Sequence, residues 1–433
     1  MNINKQLMEF LDKSSSNFHA VSEMRDELIS NKFTELKSNE VWKLEKNKKY
    51  FMTVNGSAII AFDLNDFNKE SGFKIVASHT DAPNFKVKPN AVKIKNGYAT
   101  INTEAYGGLI NYAWFDRPLK MAGRVIVKSN DTLETKLFDS NKAIAFIPSL
   151  AIHMNRKVND KAQFNRHTDM SPIVSQEEDF DLKAYLAKQL NLDTDVIIDY
   201  DLSFKPNEKS VYVGVKDEFI SSNHLDNLQS AFVSLKSFID SKSNGGINVY
   251  VSFDNEEVGS MTKQGAHATI LKDVLNRISY SMGRNNEEHL ISLSKSFIVS
   301  ADNAHANHPN YPNANDENHQ VKLNGGVVIK YSANQKYTTD SLSASLMLDI
   351  AKAANVDVQT FVNRSDSPGG STLGAISGTQ VSIKSVDIGM PQLAMHSSME
   401  LSGSNDSDSM YNLLKHFYSR EIVINNESIT VKK

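Results

Sequence analysis

The residues of this chain best suited to chemistry are histidines and carboxylates that recur directly after apolar, strand-like runs. FKIVAS runs into His79-Thr80-Asp81, INVYVSF into Asp254-Asn255-Glu256-Glu257, and SFIVS into Ala301-Asp302-Asn303. VSIKSVDIG leads through Met390-Pro391-Gln392 to His396, and Asp226 lies in the first turn of the helix-like stretch LDNLQSAFVSLKSFI. His79, Asp226, Glu257, Asp302 and His396 together offer hard oxygen and borderline nitrogen donors, a set suited to zinc, manganese or cobalt. A carboxylate bridging two such ions lowers the pKa of a shared water to near neutrality, and the pair polarises a substrate carbonyl. A further carboxylate, not committed to metal, must take the water's proton and pass it to the leaving amine. The adjacent Glu256 and Glu257 can supply one base and one ligand.

Each feature also has a structural reading. HTD is often a turn or a helix cap, and an exposed glutamate pair is often merely solvated. Asp302 could cap the next turn, Asp226 is favourable at a helix N-terminus, and His396 could be a packed histidine. Taken singly, each leans that way. Their recurrence at successive strand ends favours chemistry, because ligand sites in open α/β sheets lie at the carboxyl ends of strands.

The elements that must position these residues are legible from periodicity. Leu7, Phe10 and Leu11, then Val21, Met24 and Leu28, predict two short helices separated by Ser14 to Ser16. Ser57 to Leu64 and Phe73 to Asp81 read as strands. From about residue 89 to 222 the character changes to short strand candidates, such as Arg124 to Lys128 and Val211 to Val215, around one helix-like piece at Phe180 to Leu190. From residue 223 strands and helices alternate again: Leu225 to Ile239, Gly246 to Ser260, Ser296 to Ala306, Val327 to Ser332, Ser341 to Ala354 and Gln380 to Ile388. The expected fold is therefore α/β, a mixed or parallel sheet with helices on both faces. Its parts are residues 1–88 and 223–433, with a β-rich domain at 89–222 inserted between them.

Bulk properties narrow the function class. The formal net charge of −4 and the lack of a basic cluster argue against a nucleic-acid partner. No apolar run approaches the roughly 20 residues of a membrane helix, and the N-terminus lacks a signal-peptide core. The chain has no cysteine, which excludes disulfides, thiolate nucleophiles and Cys-ligated zinc. A cytoplasmic protein is expected.

Several longer segments carry a resemblance. NFHAV, ASHTDAP, EAYGGLINYAWFDRPL, AGRVIVK, IPSLAIHMNR, HLDN, FDNEEVGS, SADNAHANHPNY, GGVVIKYSANQKY and GMPQLAMHSSMELSG closely resemble, in this order and nearly end to end, the aspartyl aminopeptidase family of dinuclear metallopeptidases. The resemblance implies a mixed-sheet catalytic domain sandwiched by helices and two divalent ions, zinc first among the candidates. Asp226 would bridge them, His79 and Asp302 would complete one shell, and Glu257 and His396 the other. It implies Glu256 as general base and Asp81 as the group that orients His79. It further implies that His153, on the inserted domain, reaches a neighbouring subunit's active site, and that Lys330 and Tyr337 contact substrate near the specificity pocket. The family assembles as a shell of twelve subunits and prefers N-terminal Asp or Glu. Lys330 offers charge to such a side chain, with a contact to the peptide carbonyl or a structural ion pair as its other readings. His224 stands before LDN where arginine or another residue is expected, and is read as structural or as supporting a ligand; His267, His305, His308 and His319 are read as structural or loop residues. Two other functions fit the same residues: a related deacylase or carboxypeptidase, and a non-catalytic shell-forming scaffold.

Overall fold

Three continuous apolar runs, Phe73–His79, Ile247–Phe253 and Phe297–Ala301, become neighbouring parallel strands buried along their whole length. Continuous rather than alternating hydrophobicity is what a strand covered on both faces requires. The computed structural model, which describes residues 2–367, 369–370 and 372–432, places them at the centre of a nine-stranded sheet. Its order is Thr34–Glu35, Lys49–Val54, Ala58–Asp63, Ile247–Phe253, Phe73–His79, Phe297–Ala301, Lys384–Gly389, Val327–Lys330 and Val358–Phe361. Ala58–Asp63 and Val327–Lys330 run antiparallel to their central neighbours, so the sheet is mixed.

Helices cover both faces. Ile3–Lys13, Asn17–Ser30, Leu225–Asp240, Ser341–Ala354 and Asp406–Ser419 close one core, and Ile270–Ser281 and Leu373–Val381 help close the other. Phe238 is the pivot of the first core: its ring lies 5.5 Å from Phe33, 6.3 Å from Tyr250 and 5.6 Å from Tyr418.

A second, seven-stranded sheet spans Asn84 to Pro206. Its final strand, Ile197–Pro206, pairs with both Asn84–Lys95 and Pro118–Ser129, which curls the sheet back on itself around Phe85, Trp114, Phe138 and Phe204. Val211–Val213 and Phe219–Ser222 leave it and join a five-stranded sheet with Glu400–Gly403 and Pro391–Leu393. Residues 89–222 thus divide between two sheets. The Lys205 ammonium ties the seven-stranded sheet to the first helix and its C-terminus, donating to the carbonyls of Leu11 at 3.0 Å and Ser14 at 3.1 Å.

Two local expectations differ from the structure. The strand expected from Gln380 begins at Lys384, because Gln380 and Val381 finish helix Leu373–Val381. That helix contains two glycines and is not expected from the sequence, yet Gly374 is needed there: a Cβ would lie 2.7 Å from Asp387 Oδ1. Asp226 is not in a regular first helical turn. Its φ of −83° and ψ of 108° are extended, and Asn227 also departs from helical geometry.

Phe238→Ala removes the ring shared by these aromatic contacts. It is expected to cost about 3–5 kcal/mol, read as a lower urea midpoint with an unchanged m-value; a cost below about 1 kcal/mol would contradict the packing described.

Candidate metal centre

The parallel strands end level with one another, and this alignment gathers the candidate ligands. His79 pairs with Phe253, so the loop carrying Glu256 and Glu257 starts beside it. Ala301 pairs with Ile388, and the Asp302 amide donates to the Ile388 carbonyl at 2.9 Å. Asp226 enters from the start of helix Leu225–Asp240, and His396 from the loop after strand Pro391–Leu393.

Asp226 lies between the two imidazoles: Oδ1 is 3.6 Å from His79 Nε2, and Oδ2 is 3.5 Å from His396 Nε2. Asp302 Oδ1 is 3.6 Å from His79 Nε2, and Glu257 Oε2 is 3.3 Å from His396 Nε2. Ligand atoms of His79, Asp226 and Glu257 all lie within 4.8 Å of one another. Glu256 stands at the edge of the group, 3.9 Å from His79 Nε2.

The far side of each imidazole is held. His79 Nδ1 faces the Asp81 carbonyl at 3.0 Å and its Oδ1 at 3.2 Å, and His396 Nδ1 faces the Gly108 carbonyl at 3.2 Å. With Nδ1–H donated outward, each Nε2, once deprotonated, presents a lone pair to the cluster. Asp81 also accepts the backbone N–H of Glu256 and of Glu257, both at 3.1 Å. One carboxylate thus fixes an imidazole and the neighbouring glutamates together.

Tyr106, from the seven-stranded sheet, donates to Asp81 Oδ2 at 2.6 Å and accepts from Asn255 Nδ2 at 2.8 Å. Sequence reading missed both. Tyr106 lies in the quoted EAYGGL segment, but nothing local says that its hydroxyl reaches a carboxylate 25 residues away. Gly107, at φ +72°, permits the same approach: a Cβ there would sit 3.2 Å from that of Glu257.

The cluster floors a cavity of about 140 Å³ whose walls include Lys330, Tyr337, Thr372, Phe361 and His305. His305, read from sequence as a structural or loop residue, therefore faces the site. Lys330 does not stand free: its ammonium donates to the carbonyls of Asp302 at 2.7 Å and Asn303 at 3.2 Å, and lies 3.5 Å from Asp302 Oδ2. Of its readings, the ion pair is the one seen within this chain. Tyr337 is buried, with its ring centroid 5.2 Å from that ammonium. His153 is exposed on the loop following Ile147, away from this cavity. His224 is buried at φ +59°, and its charged neighbours are Lys205 and Lys120; burial, with those lysines adding, pushes its pKa down to about 3.

The electrostatics are those of an anionic cluster. Burial raises the Glu257 carboxyl well above its usual range, with Asp226 adding; Glu256 is pushed up to about 8 by burial, with His79 opposing and Asp302 adding. Burial opposes charge on His396, but Asp226 and Glu257 outweigh it and raise the imidazole to about 10. Asp302 is held below its usual value, since Lys330 and His79 outweigh burial.

Do these residues fit a cation? Asp226 Oδ1 and Glu257 Oε1 are buried with no hydrogen-bond partner among the described residues. An orphaned buried carboxylate oxygen is costly unless a cation faces it. The donor set fits.

A mixed α/β sheet bearing a buried imidazole–carboxylate cluster at its carboxyl edge defines a metallohydrolase type of site. Comparison with known proteins gives the family. The chain belongs to the aminopeptidase I zinc metalloprotease (M18) family, whose model matches residues 10–418, and it is a metalloaminopeptidase. It is 46% identical over 424 residues to the probable M18 family aminopeptidase 2 of Clostridium novyi, covering 96% of this chain and 98% of that protein. Its counterpart in Pseudomonas aeruginosa PAO1 is 39% identical over 425 residues, covering 96% and 98%. Among solved structures, a chain of the Ape4 and Nbr1 complex matches with a TM-score of 0.94 at 35% identity, over 96% of this chain and 85% of that one. The S. cerevesiae mApe1 dodecamer matches with a TM-score of 0.85 at 26% identity, over 96% of each.

Metal ligands must be deprotonated, whereas in the metal-free cluster His396 is raised to about 10 by Asp226 and Glu257, and His79 and Glu257 are shifted upward from their ordinary values. Zinc uptake should therefore release protons, and apparent affinity should fall as pH falls from 8 to 6, by about tenfold per pH unit for each proton displaced. Calorimetry in buffers of different ionisation enthalpy checks this; zero proton release would contradict it.

Proposed function

We propose that this metalloaminopeptidase holds two divalent ions, zinc in the first instance, and removes an acidic N-terminal residue from peptides with Glu256 as general base. Asp226 would be shared by both ions, one of its oxygens facing each imidazole. His79 and Asp302 would complete one set, Glu257 and His396 the other. When bound, the ions supply a water acidic enough to react near neutral pH and polarise the scissile carbonyl. Glu256, at the edge of the cluster, takes that water's proton and returns it to the leaving amine. Asp81 keeps Glu256 in place through its backbone N–H.

The observation that carries the reading is the cavity. At about 140 Å³ it has room for one side chain, as removal of a single terminal residue requires. A neighbouring cavity of about 340 Å³ shares His305, Phe361, Gly370 and Met395 with it and can take the rest of the peptide. Charge supports an acidic first residue. Two divalent ions with Lys330 carry one more positive charge than Asp226, Glu256, Glu257 and Asp302 remove. In this reading Lys330 acts through the field of the pocket while bound to Asp302, and Tyr337 walls it.

We further infer that the chain assembles with copies of itself, as a dodecamer, with residues 89–222 as the assembly module and His153 entering a neighbour's site. Leu150, Ile152 and Met154, which flank His153, are exposed apolar side chains in one chain. A buried interface would remove them from water, and the mApe1 structure similar to this chain is a dodecamer.

The purified zinc protein should cleave aspartyl and glutamyl chromogenic amides faster than leucyl ones, and should not cleave N-acetylated aspartyl substrates. A preference for blocked substrates would point to a deacylase, and equal aspartyl and leucyl rates would refute acidic selectivity. Glu256→Gln should lower kcat by about 10²–10⁴-fold at unchanged zinc content, measured on the same sample; wild-type turnover would remove Glu256 from the role of base.

A further inference from the structure

Glu400 is the first residue of strand Glu400–Gly403, is 2% exposed, and touches no candidate ligand side chain by hydrogen bond. Its carboxylate instead accepts two backbone N–H groups. Oε2 accepts from Asp226 at 3.0 Å, and Oε1 accepts from His396 at 2.7 Å. These two residues lie 170 positions apart in sequence, on different elements, and their side chains meet in the cluster. Oε1 also lies 3.4 Å from Gln392 Nε2, and Gln392 accepts from Asn303 at 2.6 Å, so the contact continues to the residue after Asp302.

Both backbones need such an anchor. Asp226 is the second residue of helix Leu225–Asp240, where a backbone N–H has no intrahelical acceptor. His396 sits at φ +67°, a left-handed conformation that residues other than glycine seldom adopt. Hydrogen bonds to a buried carboxylate are among the stronger ones available to a backbone amide. Asp81 performs the corresponding service on the other side, for His79 and the Glu256–Glu257 backbone. The cluster thus has two separate carboxylate anchors.

We propose that Glu400 is a positioning residue that sets His396 against Asp226 and so tunes chiefly the metal position that His396 serves with Glu257, since the other position's own ligands, His79 and Asp302, are held separately by Asp81 and Lys330. The proposal rests on the reading of two ions given above. The amide of a Glu400→Gln variant puts an NH2 against one of the two N–H groups whichever way it is turned, because both oxygens now accept. Glu400→Asp keeps the charge but is one methylene too short to reach both.

The test is zinc titration of metal-free protein against a chromogenic chelator, with thermal unfolding of the same metal-free samples. Wild type should bind two ions. E400Q should weaken one step by about 10–100-fold, as loss of a ligand-orienting partner does, with the other step within about threefold, and E400D should show the same asymmetry. E400D serves alone if metal-free E400Q does not fold. Two wild-type steps with both variants unchanged, even at lowered thermal stability, would make Glu400 merely structural and overturn the proposal. Equal weakening of both steps would overturn it as well. A single wild-type ion would refute the two-ion reading and this proposal together.

Discussion

Carboxylates crowded at a buried sheet edge repel one another and lose their hydration, and much of the catalytic region is what keeps them there. Asp226, Glu256, Glu257 and Asp302 line one small cavity, where burial pushes the two glutamates toward their neutral forms. Without a compensating charge such an arrangement costs free energy. Within the chain the compensation is local: Lys330 beside Asp302, and the imidazoles of His79 and His396, whose hold on protons the neighbouring carboxylates strengthen, beside Asp226 and Glu257. A divalent cation would replace those protons, so metal binding and the stability of this region are coupled.

The scaffold answers the repulsion with backbone rather than with flexible side chains. Three fully buried parallel strands hold His79, Asp302 and the Glu256–Glu257 loop on a rigid frame, which places ligands more accurately than a free loop would. Where the chain leaves the sheet, buried carboxylates take over: that of Asp81 accepts three hydrogen bonds and lies 3.2 Å from His79 Nδ1, and Glu400 gathers the Asp226 and His396 backbones. The seven-stranded sheet is part of this frame, since Tyr106 and Gly108 each hold part of the cluster from outside the main sheet. The two sheets therefore share one site.

Charge also separates two roles for lysine. Lys330 is spent on Asp302 and its backbone, holding that carboxylate ionised and in place. Lys205, equally buried, donates to carbonyls of the first helix and the residues after it. Both meet backbone carbonyls, and what separates them is the Asp302 carboxylate 3.5 Å from Lys330, not residue type.

By itself the sequence determined the class of elements and the positions where donors follow strands. Continuous apolar runs ending in His79, Glu256–Glu257 and Asp302 are legible because a doubly covered strand has a compositional signature and its carboxyl end is a known place for ligands. Helix Ser341–Ala354 was legible to the residue from its apolar spacing. Only the tertiary structure decided what those donors face. Asp226 looks like a favourable helix-start acid until its backbone is seen to be extended between two imidazoles. His305 reads as a loop histidine until the cavity forms around it. Tyr106, Asn255 and Glu400 carry no local signal, because their work depends on partners 149 and 174 residues away. Periodicity records which face of an element is buried; it holds no information about which buried polar atoms will meet, since that is fixed by the register and packing of distant elements.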